Sequence, residues 1–204
     1  MKLITNKFKT HAARQFLESF DEAANTIYYV AGHRSTPFSN DASPPDPQTS
    51  VYDTHYTLYD ELVFGKHVTP NDVKFMIRNV PWVSGTVYDM YDDQVENLET
   101  KNFFVSSIES GSRHIFKCLN NNGGIASTDQ PLFSETAPDD EVYITTDGYQ
   151  WKYMYTISAA NYNKFATAQY IPVIENADVT ANAVNGSIET IIIENPGSLY
   201  NSYA

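Results

Sequence analysis

Residues 149–157 read YQWKYMYTI, and this stretch decides the fold class. Trp151, Tyr153, Tyr155 and Ile157 recur at every second position, which is the period of a strand and not of a helix. Their size predicts that the face they share is buried, so Trp151, Tyr153 and Tyr155 are core candidates. Asp147-Gly148 just before them marks a turn into the strand. Working back along the chain, residues 102–108 (NFFVSSI) and 114–119 (HIFKCL) read as further strands. Cys118 lies in the second of these among Ile115, Phe116 and Leu119, and is expected to be a buried core thiol. Asn120 to Gly124 (NNNGG) follows as a turn that favours positive φ. Residues 86–91 (TVYDMY) also alternate, and Trp82 just before them is assigned to the core with Trp151. The fold class is therefore mainly β, with a minor α+β contribution. An N-terminal helix is expected beside the strands.

That helix is read over residues 10–24 (THAARQFLESFDEAA), where Ala13, Phe16, Leu17 and Phe20 form a stripe at helical spacing. Residues 27–30 (IYYV) read as a short buried strand, and the helical stripe is expected to pack on its sheet. Residues 31–50 contain four prolines and little periodicity, which predicts a long irregular loop. His33, Arg34 and Phe38 sit on that loop, and a hydrophobe beside a planar cation is an anchor chemistry for protein partners. Ser50 can cap a helix over residues 51–61, which places Tyr52, Tyr56 and Tyr59 on one face. The same stretch alternates as Tyr52, Thr54, Tyr56, Leu58, a pattern a strand also satisfies. Residues 62–68 read as a short strand or turn, Thr69-Pro70-Asn71-Asp72 as a turn or helix start, and residues 73–80 as a strand. Ser158 begins a short helix to about Phe165, and residues 170–174 (YIPVI) are extended, with Pro172 indicating an edge strand. Residues 187–193 (SIETIII) read as a strand running into the turn at Asn195-Pro196-Gly197. The domain reading is one body over 1–175, with the long loop 31–50, and the start of a further β region over 176–204 that a longer chain would complete.

The 204-residue chain carries 13 Lys and Arg against 25 Asp and Glu, for a net charge of −12. Such a balance argues against nucleic acid as the main partner, because phosphate binding needs a basic surface. It also argues against adhesion to an anionic membrane. With Cys118 as the single cysteine, disulfide scaffolds and four-cysteine zinc sites are excluded. The opening MKLITNKFKT has a basic flavour and no apolar h-region after it, so production in a reducing cytoplasm is expected. Aromatics make up 14% of the chain, including 15 Tyr. Tyrosine combines a large apolar body with a polar tip, which suits surfaces that meet other proteins; β-rich proteins also use it in ordinary strands.

No phosphate-cradling glycine loop, dinucleotide fingerprint, zinc-binding H-E-x-x-H or nucleophile elbow occurs. His11, His33, His55, His67 and His114 are scattered without ligand spacing. Asp92-Asp93 with Glu96, and Asp139-Asp140-Glu141, do not follow a calcium-loop pattern, and neighbouring acids on a strand face opposite ways. No catalytic residue, metal or cofactor is expected, and the chain is not read as an enzyme.

Four blocks in order carry a family resemblance: IYYVAGHRSTPFSND from Ile27 with PPDPQTSV after it, IRNVPWVSGTVYDMYDD from Ile77, HIFKCLNNNGGIAST from His114, and TTDGYQWKYMYTI from Thr145. They resemble the baseplate wedge subunit of T-even-like contractile-tailed bacteriophages, a β-rich protein that forms a homodimer within each wedge. The resemblance implies a β-sandwich-like subunit with helix-bearing loops and a structural role in the virion tail baseplate, reached from the host cytoplasm during assembly. Its partners would be a second copy and other wedge proteins, with no cofactor. Two other classes are carried beside it: a carbohydrate-binding β-module of a virion or surface protein, in which exposed aromatics stack on sugars, and a small hydrolase using the acidic pairs. Glycan binding or a calcium-dependent melting shift would favour the first, and carboxylates converging in a cleft the second.

Overall fold

The computed structural model describes residues 6–22, 27–32, 42, 56, 59–95, 97–134, 142–184, 186–188 and 191. The chain divides into two compact units, Met1–Lys74 and Phe75–Ala204. This boundary falls inside the body that the sequence reading drew over 1–175.

The first unit contains helix α1 (Asn6–Glu18) and strands β1 (Ile27–Gly32) and β2 (Leu62–Val68). The strands pair antiparallel, from Ile27 opposite Val68 to Gly32 opposite Leu62. Gly32 is required there, since a Cβ would lie 2.8 Å from the Glu61 carbonyl oxygen. Pro70–Asp72 forms a single 3₁₀ turn closed by a capping box, in which Asp72 accepts from the Thr69 backbone and hydroxyl. Lys66 pairs with the same carboxylate at 2.8 Å. Two expectations need correction in this unit. The strand at 27–30 is not buried, with Tyr29 60% and Val30 47% exposed. The α1 stripe is packed only in part: Phe16 is 65% exposed, while Leu17 and Phe20 are half-buried. Among the described residues this sheet has two strands and two faces, with no second sheet layer over either.

The second unit holds β3 (Met76–Arg78), β4 (Phe104–Glu109), β5 (Ser112–Asn120), β6 (Val142–Ile144), β7 (Gln150–Ile157) and β8 (Tyr170–Pro172), with helices α2 (Ala159–Phe165) and α3 (Ala177–Asn182). A four-stranded antiparallel sheet runs in the order β4-β5-β7-β6, and β3 pairs with β8. Ser110-Gly111 links β4 to β5 with both residues at positive φ, the two-residue turn whose twist matches a hairpin. Ser158 caps α2 by accepting from the Asn161 backbone. The described residues form eight strands in antiparallel sheets and few helices, so the chain is mainly β.

The face assignment of β7 differs from the simple alternation. Ile115 pairs with Tyr155, but Phe116 pairs with Tyr153, so Met154 is an extra residue on β7. An extra residue reverses the side to which the rest of the strand points. Trp151 and Tyr153 therefore join Phe116, Cys118, Val105, Phe103, Tyr88 and Tyr149 in one buried cluster. Tyr155 and Ile157 join Ile115 and Ile171 in a second cluster, against which Ile77, Tyr162 and Ala166 pack. The aromatic run thus supplies two cores, one on each face of the sheet. The β3–β8 ladder covers the second face through Ile77 and Ile171, which is the sandwich-like layer, only two strands wide. The first face is covered by irregular segments carrying Trp82, Tyr88 and Phe133. Trp151, Cys118, Tyr153 and Tyr155 are buried. Trp82 is half-buried at the margin, donating its indole N–H to Ser127 Oγ at 3.0 Å.

Some elements depart from the sequence reading. Residues 86–91 form no strand, making one bridge from Thr86 to Ser127. The β6 strand and α3 were not anticipated. Of the strand expected over 187–193, the described residues Ser187, Ile188 and Ile191 are in no strand.

Candidate interaction surface

The β1–β2 ribbon carries apolar side chains that are not buried. By register, Tyr29 and Ala31 share a face with Lys66 and Phe64, while Val30 shares the other with Gly65 and Val63. Tyr29 and Phe64 are diagonal neighbours, with ring centroids 6.2 Å apart and planes tilted by 46°. Phe64 is 58% exposed and Val63 67%. Both faces therefore present large apolar side chains to solvent, and the ribbon sequences IYYVAG and LVFGKHV contain no acid in an acidic chain. Apolar area left open on both faces of an element is the mark of a surface completed by another molecule.

The sequence-predicted interface residues stand as follows. Tyr56 and Tyr59 are helical and exposed, at 62% and 63%. Tyr52, His33, Arg34 and Phe38 lie outside the described residues, as does nearly all of the 31–50 loop.

In the second unit a group of polar side chains ties two turns together. Two short tripeptides, Ser127-Thr128-Asp129 and Thr145-Thr146-Asp147, clasp each other. Asp147 Oδ2 accepts from Ser127 Oγ and from the backbone of Thr128 and Asp129, while Oδ1 accepts from Thr145 Oγ1 and the Tyr149 backbone. Asp129 Oδ2 in return accepts from the backbone and hydroxyl of Thr146. Partial burial alone would raise the Asp147 pKa, but the bonds from Thr145, Asp129, Thr128 and Ser127 outweigh it and bring the value to about 2. The next turn is locked to this one, since Asn122 Nδ2 donates to the Asp147 carbonyl at 3.0 Å. Gly148 sits at φ 82°, with the Asn122 amide where a Cβ would go. Sequence reasoning passed over this clasp; the repeated hydroxyl-Thr-Asp tripeptide was the signal for it.

His114 is buried, stacked on Phe133 at 4.6 Å, with Nδ1 2.8 Å from Thr156 Oγ1. Burial lowers its pKa, with the Glu109 charge acting against that. Cys118 is fully buried, and burial followed by the Asp89 charge pushes its thiol up to about 12, which removes thiolate chemistry. Asp92 and Asp93 are exposed, and each accepts a bond from Gln94, one from its backbone and one from its side chain. Glu96 and residues 139–141 lie outside the described residues. Among the described residues, no group of three or more His, Cys, Asp and Glu side chains is placed to hold a metal ion. No described helix is long and apolar enough to cross a membrane.

Compared with known proteins, the chain matches no family model and no curated protein.

Proposed function

We propose that this protein is a structural subunit of a phage tail baseplate wedge, linking neighbouring wedge proteins and a second copy of itself through protein–protein contacts. The observation that carries the reading is the β1–β2 ribbon, whose aromatic and aliphatic side chains are open on both faces. A subunit built into an assembly needs such surface, because each stable contact removes about 1,200–2,000 Å² in total from water. The four sequence blocks that resemble the wedge family support the same reading.

The test is reconstitution of the full chain with the wedge proteins of a T-even-like phage, read by native mass spectrometry. The wild type is expected to enter wedge complexes, and a Tyr29→Ser, Phe64→Ser variant to bind at least about tenfold more weakly. Equal incorporation of the variant, or no incorporation of the wild type, would overturn the reading. Glycan binding that fails in the same variant would replace it with the carbohydrate-module reading.

A further inference from the structure

We propose that Asn122 is a site of self-modification, where the side-chain amide converts to a carboxylate at a rate set by one hydrogen bond to the neighbouring turn. In the run Asn120-Asn121-Asn122-Gly123-Gly124 only Asn122 is followed by glycine. A side chain on the residue after asparagine hinders closure of a five-membered imide ring, and glycine has none. Asn122, Gly123 and Gly124 are exposed and have positive φ, at 50°, 71° and 83°. Beyond its chain neighbours, no atom lies within 4 Å of where a Cβ on Gly123 would stand.

The hydrogen bonds of the turn keep the reacting atoms apart. The Asn122 N–H donates to Asn120 Oδ1 at 2.8 Å, and the Gly124 N–H donates to Asn121 Oδ1 at 3.1 Å. Between them, the Gly123 N–H has no acceptor among the described residues. That nitrogen is the nucleophile for ring closure. The electrophile is tethered elsewhere, because Asn122 Nδ2 donates to the Asp147 carbonyl at 3.0 Å. Asp147 is fixed in turn by the bonds to its carboxylate from Ser127, Thr128, Asp129, Thr145 and Tyr149. While the amide stays on that carbonyl, Cγ is not free to swing onto the Gly123 nitrogen.

When the tether opens, the Gly123 nitrogen gives its proton to water or hydroxide and attacks Asn122 Cγ. The Cγ–Nδ2 bond breaks, Nδ2 leaves as ammonia, and a cyclic imide remains. Water then opens the imide at either carbonyl to give aspartate or isoaspartate. The sum is one amide and one water to one acid and one ammonia, with no oxidant or cofactor. The product cannot remake the contact, since a carboxylate has no proton to offer the Asp147 carbonyl. Opening of the turn is thereby recorded irreversibly.

The experiment is timed incubation of the full chain at mildly alkaline pH across a urea series. Peptide mapping by mass spectrometry locates the conversion, and enzymatic methylation detects isoaspartate. A hydrogen bond of this kind holds its partner closed by up to about tenfold, so the folded chain should convert at Asn122 about tenfold more slowly than the unfolded chain. At low urea the rate should be flat, because releasing one side chain exposes little surface. Gly148→Ala places a methyl 2.8 Å from Asn122 Nδ2 and displaces the amide, so conversion should accelerate while circular dichroism shows the strands retained. Asn122→Asp, the product, tolerates the same backbone and should melt below the wild type. No conversion at Asn122, equal rates folded and unfolded, or a rate that climbs from the first urea added would overturn the proposal. So would a folded Gly148→Ala that converts no faster, or an Asn122→Asp variant as stable as the wild type. The urea series needs no variant and decides alone if Gly148→Ala does not fold. The chain's other Asn-Gly pair begins at Asn185, outside the described residues, and is read from a separate peptide.

Discussion

The β1–β2 ribbon and the β4-β5-β7-β6 sheet are made of the same material and end in opposite environments. Each is antiparallel, each pairs aromatic with aliphatic or aromatic side chains across strands, and each contains a tyrosine next to a phenylalanine. In the sheet, Tyr153 and Phe116 lie 5.9 Å apart, edge to face, and are buried. In the ribbon, Tyr29 and Phe64 lie 6.2 Å apart and are more than half exposed. The difference is what lies above and below. Strands on both sides and packed segments on both faces surround Phe116, whereas the ribbon has two strands and open faces. Aromatic density in a sequence therefore reports how much surface will be buried, and the number of layers decides whether the burial is internal.

Inserting one alanine between Ile115 and Phe116 breaks the comparison hardest. With a partner supplied for Met154 the strand alternates without a bulge, so Tyr155 and Ile157 would turn to the face of Trp151 and Tyr153, emptying the cluster around Ile115 and Ile171. Loss of cooperative thermal unfolding, followed by near-ultraviolet circular dichroism, is the expected outcome. An insertion variant that melts like the wild type would show that the bulge does not set the two faces. Next in size is Trp151→Ala, which removes a fully buried ring stacked at 5.3 Å on Tyr149. Denaturant unfolding should show a loss of about 3–5 kcal/mol.

The clasp between the two tripeptides sharpens the comparison at a polar site. Asp147→Ala removes a carboxylate that accepts five hydrogen bonds, and a loss of about 2–3 kcal/mol is expected. The carboxylate is held near pKa 2 in the fold against 3.8 when unconstrained. Its contribution is therefore complete above pH 3.8 and lost as the pH falls from there toward 2. Asp147→Asn, which does not titrate, should flatten stability against pH across that window. An unchanged pH profile would show that other carboxylates carry the acid sensitivity.

The strands at 102–108, 114–119 and 149–157 were legible because large apolar residues at period two leave few alternatives. The turn at Asn122-Gly123-Gly124 and the Ser158 cap were legible because left-handed backbone and an orphan helix N–H each require particular residues. The Met154 bulge was not, since a bulged residue has no composition of its own and the pattern on either side stays perfect. The β6 strand is three residues long and takes its definition from β7. For the surface, Tyr56 and Tyr59 could be chosen from helical spacing, but Tyr29 read as buried and Phe64 only as part of a short strand or turn, whereas both are exposed. Periodicity reveals which residues share a face and is silent on whether anything covers it.

The smallest expected effect on stability is the most informative about function. Phe64→Thr keeps a β-branched residue that favours the strand and removes a ring that is 58% exposed. In the isolated chain little buried area is lost, so the change in unfolding free energy should stay within about 0.5 kcal/mol. The chemically identical Phe116→Thr, in the sheet, should cost about 3 kcal/mol or more, because that ring touches Tyr143 and Tyr153 and is fully buried. If the ribbon is a contact surface, the order inverts when assembly is measured: Phe64→Thr weakens incorporation although the subunit stays folded. A variant that costs as much stability as Phe116→Thr would mean that the ring is already covered within the chain. The ribbon would then belong to a core, and its claim to a partner would lapse.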